Sequence, residues 1–265
     1  MKQQIKQNAT KILHTIGMLH KDVLCIFVNK INDMQKIGLI GGLGPESTVD
    51  YYNRIINAFK NNGANLDYPE IVIYSVRMSE FLKLMEKKEY ETVIEWMRKR
   101  LVALKEAGAA FGAITANTPH IIFNKLELIS PLPLISIVET CCEKAKSIGL
   151  KKLGLFGTRF TMDNTFYQDV FNKHGLELVV PDEKDKALIH EKLFTEIELG
   201  IFKEETKMQL IHIVERMMDK HRIDSLILGC TEFPLILTEP SYIGIPFLNT
   251  TQIHVDAIVE RCLTE

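Results

Sequence analysis

Short apolar runs alternate along this chain with longer stretches in which apolar residues recur every three or four positions. Ile37 to Ile40, Pro69 to Val76, Gly112 to Thr115 and Leu134 to Ile137 read as strands. The apolar spacing after Pro45 predicts a helix, and Ser79 to Ala107 predicts one long charged amphipathic helix. The second half follows the same grammar, with strands predicted at Leu153 to Phe156, Leu176 to Val180 and Leu226 to Leu228. Helices are predicted there at Thr161 to His174, Asp185 to Leu199 and Lys203 to His221. Strands alternating with helices of this length imply parallel sheets covered on both faces, so the fold class is α/β.

The halves also echo each other in sequence. KIGLIGGLGP from Lys36 resembles KLGLFGTRFT from Lys152, and FGAITANTPH from Phe111 resembles SLILGCTEFP from Ser225. Matched in this way, Ala116 stands where the second copy has Cys230. One half offers a methyl group where the other offers a thiol. Two α/β domains are therefore expected, covering 34–132 and 133–244. In such sheets ligands sit beyond the carboxyl ends of the strands. The loops Gly41 to Thr48, Thr115 to His120, Gly157 to Met162 and Gly229 to Phe233 would then surround one cleft between the domains.

Charge adds mainly exclusions. With 32 basic against 34 acidic residues and no basic run, the chain carries no nucleic-acid footprint. Val23 to Val28 is apolar but too short to span a membrane, and no cleavage site follows it. Residues 1–33 read as an arm, or as an over-extended start before Met34, without a catalytic role. Five cysteines without metal spacing read as reduced thiols in a cytoplasmic protein, and a small-molecule ligand is the expected partner.

The glycine loop lacks the third glycine of a dinucleotide fingerprint, since Ser47 occupies it, and no Walker lysine is present. Its backbone N–H groups, Gly42 included, are better suited to a small anion. Asn117 and Pro119 have the residue types of a helix cap and first turn. Cys230, between a strand and a helix start, is expected to have its thiolate favoured. His120 and Glu232 lie where they could orient a substrate ammonium or transfer protons, or simply complete their own turns. His190, His212 and His221 lie on amphipathic helices, as do Cys141 and Cys142, and none is assigned chemistry.

GGLGPEST, ANTPH, FGTRFTM and LGCTE, in this order, resemble the aspartate/glutamate racemase family, over roughly Lys36 to the C-terminus. The resemblance implies that the two domains are pseudo-symmetric, with about 245–265 returning to the first, and that an acidic amino acid is racemised without pyridoxal phosphate or any other cofactor, in a homodimer. In that family one cysteine from each domain faces the substrate α-carbon. Cys230 matches the second-domain cysteine, and Ala116 occupies the first. Asn117, Thr118 and Thr231 match residues holding the α-amino and carboxylate groups, and Thr158 matches a hydroxyl position in the second glycine loop. Arg77, Lys186 and Arg159 are the nearest candidates for a side-chain carboxylate. An alanine cannot move a proton, so a water, His120 or Thr118 would have to serve that face, and activity is expected to be weak or one-sided. The alternatives are a single-thiol decarboxylase or dicarboxylate isomerase, and a carboxylate-binding protein without turnover.

Overall fold

The computed structural model describes residues 34–61 and 66–264, so the arm at 1–33 and Cys25 lie outside the described residues. The first half runs β1 (Ile37–Gly41), α1 (Pro45–Asn61), β2 (Ile71–Ser75), α2 (Met78–Glu86), α3 (Tyr90–Glu106) and β3 (Phe111–Ile114). A 3-10 turn (Thr118–Ile122), α4 (Phe123–Ile129) and β4 (Leu134–Ile135) complete it. The second half runs α5 (Ile137–Ser147), β5 (Lys152–Phe156), α6 (Arg159–Asp163), α7 (Phe166–Lys173), β6 (Glu177–Val179) and α8 (Glu183–Thr195). It continues through a 3-10 turn (Ile197–Leu199), α9 (Glu204–His221), β7 (Ser225–Leu228), α10 (Phe233–Ile236), β8 (Ser241–Tyr242), β9 (Ile245–Asn249) and α11 (Thr250–Cys262).

The strands form two sheets, ordered β2-β1-β3-β4 and β6-β5-β7-β9-β8. Every pairing is parallel except β8 with β9. Residues in β1, β3 and β7 are buried throughout, as expected for strands covered on both faces. On one face of the first sheet α1 and α11 bring Tyr51, Ile55, Phe59 and Ile258 against Leu39 and Phe111. The opposite face is covered by Phe81, Val93, Met97 and Leu101. In the second sheet, Val138, Tyr167 and Phe171 cover one face, and Leu193, Leu210 and Val214 the other. Each fully buried side chain of this size contributes about 1.5–3 kcal/mol of transfer free energy.

Four expectations are corrected. The helix over Ser79 to Ala107 is two helices, because Lys88 adopts a left-handed φ of 55° and the Glu89 N–H turns back to the Leu84 carbonyl. The helix over Thr161 to His174 is also two. Asn164 is extended there, and its side-chain amide donates to the Phe160 carbonyl at 2.8 Å, ending α6. The domain limits at 132/133 and 244/245 each misplace a strand: β4 pairs with β3 in the first sheet and β9 with β7 in the second. The closing helix α11 does return to the first half, where it packs on α1, but it also lies against α5. Among the described residues, no helix is long and apolar enough to cross a membrane.

Candidate active site

The four loops after β1, β3, β5 and β7 meet. A Cβ placed on Gly44, in the first loop, would lie 3.9 Å from Glu232 Oε1 in the fourth. Tyr167, on α7 of the second half, donates its hydroxyl to Asn117 Oδ1 at 2.6 Å. Phe160, in the third loop, packs against the core of the first half.

The first loop is built around Gly42, which has φ +81° and is pressed against Val76. Its N–H donates to Thr48 Oγ1 at 2.9 Å, so Gly42 is not the free anion donor expected of it. Ser47 Oγ donates to the Thr115 carbonyl at 2.9 Å, and Thr48 and Thr115 share a hydroxyl contact of 3.3 Å. The residues following the glycines therefore tie the first loop to the second.

In the second loop Ala116 is 9% exposed. Asn117 does not cap the turn after it. Its side chain faces Tyr167, is 5% exposed, and leaves Nδ2 buried with no hydrogen-bond partner among the described residues. The described residues supply no acceptor for this donor, so a water or a ligand has to satisfy it. Thr118 is partly buried at the start of the 3-10 turn.

His120 is not a proton-transfer group. The Ile137 N–H donates to its Nε2 at 3.2 Å, which leaves the proton on Nδ1, 3.0 Å from the Ala116 carbonyl it donates to. Burial, and then the proximity of His254, push its pKa down to about 3. His254 repeats the device. It accepts from the Tyr51 hydroxyl at 2.8 Å and donates to the Ile135 carbonyl at 3.0 Å, and burial lowers its pKa to about 4. Both rings are neutral pins joining the Ala116 loop, β4, α5, α1 and α11.

Cys230 is 9% exposed, and its thiol donates to Glu232 Oε2 at 2.8 Å. The expected thiolate is not favoured at rest. Burial raises the thiol pKa first and the Glu232 carboxylate raises it further, against a smaller opposing pull from the Glu232 N–H. The helix that follows is a single turn, Phe233–Ile236, too short to reverse this. Thr231 is partly buried between Cys230 and α10. Glu198, on the 3-10 turn Ile197–Leu199, completes the surroundings of the thiol. One oxygen from each carboxylate and Cys230 Sγ lie within 4.8 Å of one another.

The basic candidates are placed unequally. Arg159 bonds Asp163 Oδ2 at 2.8 Å and also Glu183, while Lys186 bonds the same two carboxylates at 2.9 and 3.2 Å. Arg77 is exposed at the N-cap of α2, just past the Val76 that packs on Gly42. Thr158 Oγ1 accepts from the Thr161 N–H at 3.2 Å and so caps α6.

Tyr167 and Glu198 were not singled out from the sequence. Each lies in a helical pattern far along the chain from its partner, and only the tertiary fold reveals the pairing.

The model of the Asp/Glu/hydantoin racemase family matches residues 40–258. The broad-specificity amino-acid racemase RacX of Bacillus subtilis is 26% identical over 206 residues, which is 76% of this chain and 87% of that protein. The solved structure of a putative Asp/Glu racemase from Yersinia pestis is 31% identical with a TM-score of 0.80, covering 87% of this chain and all (100%) of that one. An aspartate racemase homologue from Pyrococcus horikoshii is 33% identical with a TM-score of 0.74, covering 86% and 98%.

Proposed function

The chain belongs to the Asp/Glu/hydantoin racemase family, and we propose that it racemises an amino acid without pyridoxal phosphate, using Cys230 as the proton-transferring thiol. The observation carrying this reading is the buried thiol held 2.8 Å from the Glu232 carboxylate, where the loop after β7 meets the loop after β1. At rest the proton sits on sulfur. For Cys230 to act as a base, Glu232 takes that proton and the thiolate formed removes the substrate α-proton. Return of the proton from sulfur to carbon reverses the step. The negative charge delocalised into the substrate carboxylate would be met by the unpartnered Nδ2 of Asn117, with Thr231 and Thr118 as neighbouring hydroxyls.

Ala116 makes the chemistry asymmetric. A water or Thr118 must serve the face that a second cysteine would otherwise serve, which lowers the rate on that face by about 10²–10⁴. The same alanine favours, as a second reading, single-thiol decarboxylation or isomerisation of a dicarboxylate. Incubating each enantiomer of a panel of amino acids in D2O and following α-proton exchange by NMR separates these readings. Racemisation predicts exchange that is faster from one enantiomer, is abolished in Cys230→Ser and becomes more even in Ala116→Cys. Full exchange retained in Cys230→Ser would overturn the assignment of the thiol. The homodimer is likewise a proposal, tested by light scattering.

A further inference from the structure

Each sheet ends in two edge strands, and among the described residues three of these edges are protected. β4 is two residues long, and His254 occupies the Ile135 carbonyl. β8 is also two residues long, while β6 has three, with Glu177 on it paired to Lys152. Brevity and charge are common means of keeping a sheet edge from pairing with another chain. β2 has neither. Its five residues, Ile71-Val-Ile-Tyr-Ser75, include no charge and no proline, and the last three are exposed. The Glu70 carbonyl and the Val76 N–H bond to β1, so with a period of two Val72 and Tyr74 also turn their backbone groups to β1. Those of Ile71, Ile73 and Ser75 face outward. Ile73 and Tyr74 are each 38% exposed, and Met78 and Leu82, one turn apart on α2, add exposed apolar side chains just past the strand.

We propose that this edge pairs with the same edge of a second copy of the chain, antiparallel about a two-fold axis at Ile73. This rests on the homodimer reading above and not on the chemistry of Cys230. The register opposes outward groups to outward groups along the whole strand, Ile71 to the second copy's Ser75 and Ile73 to its own counterpart. About six ladder hydrogen bonds form, and the two first sheets become one continuous sheet. Sliding the pairing towards the strand start would set Ser75 against Pro69, which has no N–H to give. The same register brings Arg77, exposed at one end of the strand, to the acidic other end of the second copy, marked by the exposed Asp67 and Glu70. The edge is thus complementary to itself in both hydrogen bonding and charge, which is what a two-fold interface requires.

Light scattering over a range of concentrations, and oxidative cross-linking, test the proposal on the full chain. The wild type is expected to be a dimer. Ile73→Lys sets two lysines face to face at the axis while leaving the bonds to β1 in place, and should raise the dissociation constant at least about tenfold. Thermal denaturation checks that this variant is folded, and if it is not, the cysteine variant decides. Ile73→Cys, oxidised with copper phenanthroline, should give a disulfide-linked dimer, because opposed Cβ atoms lie about 4.5–5.5 Å apart. The wild type, and Leu199→Cys on an exposed turn of the second half, should not. A monomeric wild type overturns both the homodimer and this interface. A dimer that survives Ile73→Lys, or one that is not cross-linked through position 73, uses another face and overturns the interface alone. A disulfide from position 73 to Cys25 of the same chain means that residues 1–33 hold the edge, and overturns it as well.

Discussion

Acidification should destabilise this protein through two histidines that the fold holds neutral. His254 accepts from Tyr51 and donates to Ile135, and burial moves its pKa from 6.5 to about 4. His120 is moved from 6.5 to about 3. Their folded values are depressed, so the stability they permit is present above pH 6.5 and is lost as pH falls towards 4 and then 3. Between pH 7 and pH 5 the unfolded chain gains about 0.7 of a proton at each site while the folded chain gains almost none. Each histidine then costs about 2 kcal/mol, and the pair about 4 kcal/mol. Glu198 works in the opposite sense, since its raised folded value stabilises the protein as pH falls, by an amount that solvent screening reduces. A difference between proteins removes that contribution. Urea denaturation of the wild type and of His254→Asn at both pH values should show the wild type losing about 2 kcal/mol more than the variant. Equal losses, or a His254 ring that titrates near 6.5 by NMR in the folded protein, would refute the reasoning.

Three further outcomes follow from the site. Glu232→Gln removes the charge that helps hold the Cys230 proton, so alkylation of Cys230 by iodoacetamide at pH 8, followed by peptide mass spectrometry, should be several-fold faster while amino-acid exchange falls. Tyr167→Phe leaves Asn117 Oδ1 buried without its donor, which should lower stability by about 1–3 kcal/mol in urea titrations and raise KM more than it lowers kcat. Gly42→Ala would place a Cβ 2.5 Å from the Val76 carbonyl at φ +81°, a loss expected to exceed about 2 kcal/mol by thermal denaturation. Unchanged stability there would mean that the first loop can move away from β2.

The strands were legible because sheets covered on both faces leave continuous apolar runs, and β1, β3 and β7 are buried throughout. The four loops were legible because a parallel sheet carries its working residues at the strand ends. The helix breaks were hidden. Lys88 and Asn164 interrupt segments whose apolar spacing continues on either side, and a left-handed φ or a side-chain amide capturing a carbonyl leaves no mark on periodicity. Membership of β4 and β9 in their sheets depends on long-range pairing, which no local pattern encodes. The protonation states failed for a related reason. Cys230 looked poised for a thiolate until Glu232 turned its carboxylate onto the sulfur, and His120 looked catalytic until both ring nitrogens were found on backbone groups.

Helix α11 gives the molecule a tie-bar. Its 13 residues rest on α1 of one half and α5 of the other, Thr250 at its start donates to the Leu228 carbonyl at 2.8 Å, and the Cys262 carbonyl receives the Gln35 N–H just ahead of β1. The two halves therefore cannot part like separate lobes on a single string. Parting the halves requires stripping α11 from α1 or from α5, so the end of the chain holds together loops that lie far from it in sequence.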